Sequence, residues 1–544
     1  MTMSFKIHHL INKINESEPT QRDFDNVCRR KTKLELICIS LIVFGIEICY
    51  AAETAFVSPI LQKIGIPIEY TSMVWGLSPI IGFFACPILG SLSDECHLPL
   101  GRRRPFIILY SIGIMIGLIL TGYGHVIGNF FSNGSDNINT FVIILTIIGV
   151  VLLDFNCDAC QSPARAYLID VSQESDHSVG LSTFTVMAGA GGCIGYVLGG
   201  IPWNFLNNQV TEKKMILLEN DTWINRTEFV TQGDIAYSHK QILFSMVAVI
   251  YVICAFISLT SFKEIPLDSL KVRNNLNLDK SIDIFDEEEE KSPISYDDII
   301  SLDRMAIIEN KSCGYNNIEM LRDHIKSVLN MPNSLLWLCI THFFCWMSLL
   351  CYSLYFTDFV GEEVFGGIPS DKEKNAELNQ KYDSGVRIGS FCMGLYSLSC
   401  SFYSYFLEKI IYKFNTRKVY TFSPLIYSFG MLLLGISKSK AMIGIASLTA
   451  GVMYSCLFTI PFILVAQYHT KESFELLSNE PVQARGLGTD IAIVSSMVFI
   501  AQFFLSIFIG FFIKLIGTKT VVVFASSLFS LCASFSAQKI LYLD

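Results

Sequence analysis

The sequence has few charged residues for its length. Only 16% of its 544 residues are Asp, Glu, Lys or Arg, whereas soluble proteins average about a quarter. Hydrophobic residues make up 51% of the chain, and its mean hydropathy is +0.45. This shortage of charge excludes an ordinary soluble domain and predicts a polytopic membrane protein.

Other missing features restrict the function further. The chain has no GxxxxGK[ST] segment, so we expect no ATP site and an ion gradient as the energy source. No nucleophile–base pair or metal-ligand cluster emerges, so we predict no enzyme, no metal and no cofactor. The polar stretch 1–33 precedes an apolar run too long for a signal peptide, so we expect no cleaved signal. None of the 17 cysteines falls in a predicted external loop, which argues against structural disulfides.

Long apolar runs dominate what is present. Each is near the length of about 20 residues that a helix needs to cross a bilayer. They predict an all-α polytopic fold with twelve transmembrane helices. The runs lie near residues 34–58, 71–93, 105–124, 140–161, 180–201, 241–262, 333–357, 386–408, 419–437, 442–466, 487–513 and 520–538.

A long polar stretch divides these runs into six and six. It contains 15 acidic and 9 basic residues and is interpreted as a flexible linker. Pro163 and Pro461 precede corresponding turns in the two halves, and six-plus-six repeats are typical of the major facilitator architecture. The predicted organisation is a tail 1–33, an N-terminal half 34–262, an acidic cytosolic linker 263–332, a C-terminal half 333–538 and a tail 539–544.

Basic residues and glycosylation sequons predict the orientation. With both termini in the cytosol, 27 of the 40 Lys and Arg residues lie on the cytosolic side and 13 on the other, as the positive-inside rule requires. The sequons at Asn133, Asn220 and Asn225 then fall in external loops, where glycans are added. We expect a glycoprotein of the plasma membrane. The alternative location is the membrane of an acidic organelle.

The segment Val151–Asp170, VLLDFNCDACQSPARAYLID, carries the chemistry that organises the chain. Asp154, Asp158 and Arg165 follow helical spacing and share one stripe. Each charge within a membrane helix costs roughly 2.5–3.5 kcal/mol on insertion scales, and such residues often mark an ion or proton path. The alternative is a structural Asp–Arg pair that holds helix ends together.

A second motif, GSLSDECHLPLGRRRPFI at Gly90–Ile107, predicts a cytosolic gate. Gly90 permits close helix approach, and Asp94 ends a helix just before a basic turn. An ion pair there can hold one conformation and break in another. The alternative is a fixed positive-inside anchor. The predicted gate residues are Gly90, Asp94, Arg102, Arg103 and Arg104.

Candidate substrate contacts lie in helices 1 and 7. Glu47 and Glu53 are six residues apart and face different directions, so at least one is expected to pair elsewhere. Glu53 is the candidate for sugar hydroxyls, because a carboxylate accepts several hydrogen bonds. His342 and Trp346 offer rings on which a sugar can stack, although packing and interfacial anchoring are the ordinary roles of such residues.

Four segments together resemble one transporter family: GSLSD…GRRRPFI, LLDFN…SPARAYLIDV, TDFVGEEVFGG and SGVRIGSF. They are similar to plant sucrose carriers and to the animal branch that includes proton-associated sugar transporters, membrane-associated transporter protein and prostein. The resemblance covers about residues 47–205 and 335–517. It implies a major facilitator fold of twelve helices in two six-helix halves, with alternating access and sugar coupled to protons.

The resemblance also implies roles for single residues. Asp154 matches the family's helix 4 aspartate, the proton-coupling candidate, and Arg165 matches the arginine of its PARA segment, a partner near the gate. Glu53 matches a helix 1 glutamate of the animal branch. Asp158 stays a candidate substrate contact with no transferred role.

We therefore expect a proton-coupled symporter for sucrose, glucose or a similar solute. Its partners are the sugar, the proton and the lipid bilayer, with no nucleic acid. Two alternatives stay open: an organellar proton or ion pathway that adjusts lumenal pH, and a non-transporting receptor or scaffold on the same fold. The sequence sets neither the sugar nor the oligomeric state.

Overall fold

Helices account for nearly all of the structure, a computed structural model. No strand occurs in the part of the chain that it describes. The described residues are 29–63, 68–98, 100–131, 138–200, 232–264, 331–368, 376–470 and 487–543. The sequons at Asn133, Asn220 and Asn225 and most of the acidic linker lie outside these ranges.

Six described helices precede the linker and six follow it. The N-half comprises α1 Lys33–Lys63, α2 Ile68–Asp94, α3 Arg104–Phe131, α4 Ile138–Asp170, α5 Glu174–Gly200 and α6 Gln232–Ser261. The C-half comprises α7 Asn333–Phe359, α8 Ala376–Phe414, α9 Thr416–Ser437, α10 Lys440–Thr470, α11 Leu487–Ile516 and α12 Thr520–Ala537. The span α11 consists of two helical segments, Leu487–Ser495 and Met497–Ile516, with a turn at Ser496 between them.

Eleven of these described helices are long and apolar enough to cross a membrane, and α8 is the exception. The predicted span 386–408 lies within α8, whose inward side is rich in serine. Ser401 donates a hydrogen bond to the carbonyl of Val186 in α5, and Ser399 donates one to the carbonyl of Leu448 in α10. The polar residues of α8 lower its hydropathy, although the helix packs within the bundle.

The outer surface of the bundle is apolar. Leu109, Phe256, Phe402 and Phe429 are each more than half exposed, and they come from four different helices. Such large apolar surfaces are unfavourable in water and mark contact with lipid. The chain is a multi-pass integral membrane protein.

The helices run between two ends of the bundle, which we call the termini face and the opposite face. The termini face is the end that carries Lys33, the first residue of α1, and Ala537, the last residue of α12. The opposite face carries Lys63 and Thr520.

Small residues bring the N-half and the C-half together. A Cβ added at Gly90 of α2 would lie 2.5 Å from the Cβ of Ala492 in α11, and one added at Gly189 of α5 would lie 2.6 Å from the carbonyl oxygen of Ser397 in α8. Small residues allow membrane helices to approach closely. Two of the helix pairs along which the halves touch are therefore α2 with α11 and α5 with α8.

Prolines do not end the helices that carry them. The predicted span 140–161 stops before Pro163, but α4 continues through Pro163 to Asp170. Helix α10 likewise continues through Pro461 to Thr470. Helix α4 thus carries Asp154, Asp158 and Arg165 on one continuous element.

Candidate functional site

Three carboxyl groups lie together in the interior of the N-half. Glu53 of α1 is 0% exposed, and Asp154 and Asp158 of α4 are 1% and 7% exposed. Glu53 interacts electrostatically with both aspartates. Tyr50 joins the group by donating its hydroxyl proton to Asp158 Oδ1 at 2.6 Å. Two helices thus bring together the three acids that the sequence singled out, which we call the acid cluster.

The acid cluster is incompletely satisfied by hydrogen bonds. Both carboxyl oxygens of Glu53, Oδ1 of Asp154 and Oδ2 of Asp158 have no hydrogen-bond partner among the described residues. Three like charges cannot remain together in a buried site without a large electrostatic cost. The arrangement therefore favours proton uptake by at least one of these groups and leaves acceptor atoms for a ligand.

Asp154 also connects the two halves. Gln502 of α11 donates its side-chain amide to Asp154 Oδ2 and to the backbone carbonyl of Trp75 in α2, both at 3.3 Å. Gln502 is itself 3% exposed. A single amide of the C-half therefore binds two helices of the N-half beside the acid cluster.

Arg165 faces the C-half rather than Asp154. Its guanidinium donates to Gln161 Oε1 at 3.1 Å and lies 4.3 Å and 4.1 Å from the ring centroids of Phe458 and Phe462 in α10. The ring of Phe184 in α5 is 5.2 Å away. Cation–π contact of this kind is favourable when the charge is removed from water. The structure thus places Arg165 in a ring cage and not in a direct pair with Asp154.

The candidate substrate residues of α7 form a pair. Trp346 donates its indole N–H to His342 Nε2 at 2.9 Å, which makes that nitrogen an acceptor. The His342 ring also meets the ring of Phe462 edge-on at 5.8 Å. Trp346 packs where Cys86 of α2 meets α11. The pair therefore lies on the C-half side of the interface, next to the Arg165 cage.

The predicted gate residues meet at the termini face. Arg103 is 1% exposed and binds Asp94 at 2.5 Å and Asp170 at 2.9 Å. Arg102 adds a second contact to Asp170 at 3.1 Å. Ser93 accepts a further hydrogen bond from Arg103 at 2.5 Å. Helices α2 and α4 are thereby joined through one buried guanidinium.

Asp94 extends this network across to the C-half. It accepts hydrogen bonds from the backbone N–H groups of Gly488 and Thr489 at 3.1 Å and 2.8 Å, at the start of α11. The Thr489 hydroxyl adds a third at 2.9 Å. A carboxylate at a helix N-terminus is stabilised by the unpaired N–H groups and the helix dipole. The network therefore closes the termini face.

Glu264, just beyond α6, holds the turn that presents the gate arginines. Its carboxylate accepts the backbone N–H groups of Arg103 at 3.0 Å and Arg104 at 3.2 Å. Glu264 is 3% exposed, and this burial raises the pKa of its carboxyl above the usual value, with the nearby Asp170 charge acting in the same direction. Glu264 therefore orients Arg103 through the backbone.

A small pocket lies beside the gate, between α2, α3 and α4. Its lining includes Cys86, Gly90, Ser93, Tyr110 and Ser162, all from helices of the N-half. The pocket therefore lies within the N-half and not between the halves.

The segment TDFVGEEVFGG has a role at the opposite face. Residues Val360–Val364 form one turn of π-helix after α7. Glu363 pairs with Lys438 at 2.7 Å, and Glu362 pairs with Lys519 at 2.9 Å. The segment therefore ties the end of α7 to the end of α9 and the start of α12, within the C-half.

Several functional contacts were not predicted from the sequence. Gln502, Thr489 and Glu264 are far in sequence from the residues they bind, and only Gln502 gave a local signal, as a lone amide in the apolar run MVFIAQFFLSIF. The pair of Asp490 in α11 with His469 in α10, at 2.8 Å, likewise joins residues from two different helices.

Comparison with known proteins agrees with this architecture. The sequence matches the Major Facilitator Superfamily over residues 115–475. It is 31% identical to the human membrane-associated transporter protein, over 94% of each chain, and 27% identical to the human proton-associated sugar transporter A, over 93% of this chain and 86% of that one.

A solved structure agrees with the fold. The proton:xylose symporter XylE, bound to 6-bromo-6-deoxy-D-glucose, superposes with a TM-score of 0.56 at 10% identity, over 93% of this chain and 95% of that one. Members of this superfamily transport small molecules and are not enzymes. The chain belongs to the major facilitator superfamily, in the family of the membrane-associated transporter protein and the proton-associated sugar transporters.

Proposed function

We propose that this transporter moves a sugar together with a proton by alternating access. The observation that carries the proposal is the acid cluster, where Glu53, Asp154 and Asp158 are buried together with free acceptor oxygens. Buried acids within membrane helices commonly serve as proton sites. The similarity to a relative named proton-associated sugar transporter A supports the same reading.

Asp154 is the proposed proton-binding group, because Gln502 connects it to the other half. As a carboxylate it accepts the Gln502 amide. Protonation adds one hydrogen to the carboxyl group and removes its charge, which weakens that hydrogen bond, since bonds to charged groups are stronger than neutral ones. Proton binding at Asp154 then loosens the contact between α4 and α11.

The sugar binds between the halves in this proposal. Glu53 and Asp158 supply acceptors for hydroxyl groups from the N-half, and His342 and Trp346 supply rings and polar nitrogens from the C-half. Arg165 occupies the ring cage of α10 while the halves are closed. It acts as an electrostatic partner of the acid cluster rather than as the direct partner of Asp154.

The network of Gly90, Asp94, Arg102, Arg103 and Arg104 is the proposed gate at the termini face. We place this face in the cytosol, because basic residues concentrate there, and place the protein in the plasma membrane. When the gate breaks, Asp94 releases the start of α11 and the loaded site opens inward. In rocking-bundle transporters, one half rocks against the other around a fixed site, so that the site opens first to one side of the membrane and then to the other.

Uptake of labelled sucrose and glucose into cells that express the chain tests the proposal. We expect uptake to rise when the external medium is acidified and to collapse in Asp154→Asn. The matched control is Glu377→Gln, which removes an exposed carboxylate that pairs with Lys381 of the same helix, α8. This control leaves uptake unchanged.

Other outcomes would reassign the function. Proton flux without sugar flux would favour an ion pathway that adjusts lumenal pH. Surface expression with neither flux would favour a receptor or scaffold on the same fold. Sugar flux that persists unchanged in Asp154→Asn would contradict the proton role of Asp154.

A further inference from the structure

Glu47 forms a second carboxyl contact between the halves, away from Asp154. Its carboxylate Oε1 accepts the hydroxyl proton of Tyr454 at 3.0 Å. Glu47 is in α1 and is 8% exposed, and Tyr454 is in α10 and is 4% exposed. The bond therefore joins one helix of the N-half to one of the C-half in a buried environment.

The depth of this contact places it near the centre of the bundle. Glu47 is 14 residues from Lys33 at the termini face, and Tyr454 is 14 residues from Lys440 at the opposite face. At about 1.5 Å per residue, each lies roughly 21 Å from its end of the helix. The contact is thus close in depth to the acid cluster, whose Asp158 interacts electrostatically with Glu47.

Groups of both charge signs surround Glu47. Helix α4 supplies the negative Asp158, which opposes a charge on Glu47, and the positive Arg165, which favours it. Helix α6 packs on α1 where Tyr251 and Cys254 meet Gly45. The remaining groups that face Glu47 are Tyr196 of α5, Tyr396 and Cys400 of α8, and Tyr454 of α10.

The strength of the hydrogen bond between Tyr454 and Glu47 depends on whether Glu47 is charged. A hydrogen bond from a hydroxyl to a carboxylate is roughly twice as strong as one to a neutral acceptor. Proton transfer from a hydronium ion of the aqueous phase forms one O–H bond at the Glu47 carboxylate, breaks one O–H bond of the hydronium ion and leaves a water molecule. The protonated group keeps only a neutral bond to Tyr454, so the two helices are held together less tightly.

We propose that Glu47 is a positioning residue whose protonation releases α10 from α1 and so permits the halves to part. The proposal rests on the proposed function, because it adds a second proton-sensitive contact to the same transport cycle. Glu47 in this account binds no sugar. The ionised residue favours the closed interface, and the protonated residue favours opening at the termini face.

A conformational measurement tests this without any substrate. Spin labels are attached through noncanonical residues at Thr260 of α6 and Lys418 of α9, which are exposed at the termini face, so that the native cysteines stay in place. The distance distribution is then recorded against pH for the full chain in liposomes. In the native chain we expect the wider separation to gain population as the pH falls.

Two variants isolate the Glu47 contact. Glu47→Gln keeps the size of the side chain but cannot become charged, so the wide population should be high at every pH. Tyr454→Phe removes only the hydroxyl and should likewise raise the wide population and weaken its dependence on pH. The double variant should differ little from either single variant. Tyr427→Phe is the matched control, because this buried tyrosine bonds Ser526 within the C-half at 2.8 Å and should keep the native profile.

The outcomes separate this proposal from its alternatives. If Glu47→Gln or Tyr454→Phe keeps the native pH profile and only lowers the yield or the melting temperature, the contact is structural and the proposal is wrong. If Glu47→Gln does not fold, Tyr454→Phe still decides. A native-like pH response in Asp154→Asn supports Glu47 as a separate sensor, and it does so even if no sugar flux is found.

Discussion

Asp154 of α4 and Gln502 of α11 meet across the boundary between the two halves, with Nε2 and Oδ2 3.3 Å apart. Both side chains are almost fully buried. Gln502 also donates a hydrogen bond to the carbonyl of Trp75 in α2. Its amide therefore contacts both the Asp154 carboxyl group and the backbone of α2. This relationship gives the acid cluster a direct mechanical connection to the C-half.

Replacing Gln502 with methionine should weaken proton-driven transport. The substitution keeps a flexible side chain of similar length but removes the amide that Asp154 accepts. A hydrogen bond to a charged group contributes about 1.5–3 kcal/mol, so we expect at least about a tenfold loss in kcat/KM for sugar uptake. The measurement is initial uptake rate against sugar concentration and pH. Gln538→Met, at an exposed position beyond α12, is the control, and an equal loss there would contradict the interpretation.

Filling the close approach at Gly90 should prevent the termini face from closing. A Cβ at this position lies 2.5 Å from the Cβ of Ala492, so Gly90→Val forces α2 away from α11. We expect Cys86, which is 2% exposed in the neighbouring pocket, to be alkylated faster by a maleimide, as measured by peptide mass spectrometry. Gly510→Val adds the same side chain to α11, where nothing lies within 4 Å, and should leave the Cys86 rate unchanged.

Glu264 predicts a pH dependence of stability. Burial raises the pKa of its carboxyl above the ordinary 4.5, so the folded chain holds this proton more tightly than the unfolded chain does. Below the ordinary pKa, this proton makes its full contribution to the stability of the folded chain. That contribution is lost as the pH rises through the higher pKa of the folded chain. The melting temperature of Glu264→Gln minus that of the native chain should therefore increase as the pH rises.

Thermal unfolding in detergent, recorded from acidic to neutral pH, measures this difference. Glu408→Gln is the control, because Glu408 is exposed in α8, and it should follow the native chain at every pH. A constant offset between Glu264→Gln and the native chain would show that Glu264 does not titrate in this range.

The ring cage of Arg165 should require a planar guanidinium. Arg165→Lys keeps the charge but loses the flat surface that stacks on Phe458 and Phe462. Desolvated cation–π contacts contribute about 2 kcal/mol, so Arg165→Lys and Phe462→Leu should each lower the melting temperature, and their combination should be clearly less than additive. Phe508→Leu, whose ring is 50% exposed on α11, should combine additively with Arg165→Lys. Additive effects for Phe462 would exclude the cage.

The sequence predicted those features of the site that depend on local spacing. The spacing of Asp154 and Asp158 on α4 and the grouping of Gly90, Asp94 and the arginines after it follow from residues close in the chain. The apolar runs predicted twelve helices, and the family resemblance supplied the proposed role of Asp154. Glu53 was placed with the aspartates only by the packing of α1 against α4.

The parts that were missed depend on contacts between distant segments. Tyr454 is 407 residues from Glu47, and Gln502 is 348 residues from Asp154. No periodicity or motif connects such pairs. Asp154 and Arg165 share a stripe, but they lie eleven residues apart on one continuous helix, about 16 Å along its axis, which is too far for a direct ion pair. Arg165 lies instead in the ring cage of α10.

Sugar-induced proton movement in proteoliposomes is the most direct test of coupled transport. Sucrose or glucose is added to vesicles that contain the native chain, and external pH is followed with a dye while labelled sugar is counted. We expect the medium to become more alkaline in step with sugar entry, and we expect Asp154→Asn to abolish the pH change. Sugar entry with no pH change in the native chain, or an undiminished pH change in Asp154→Asn, would contradict it.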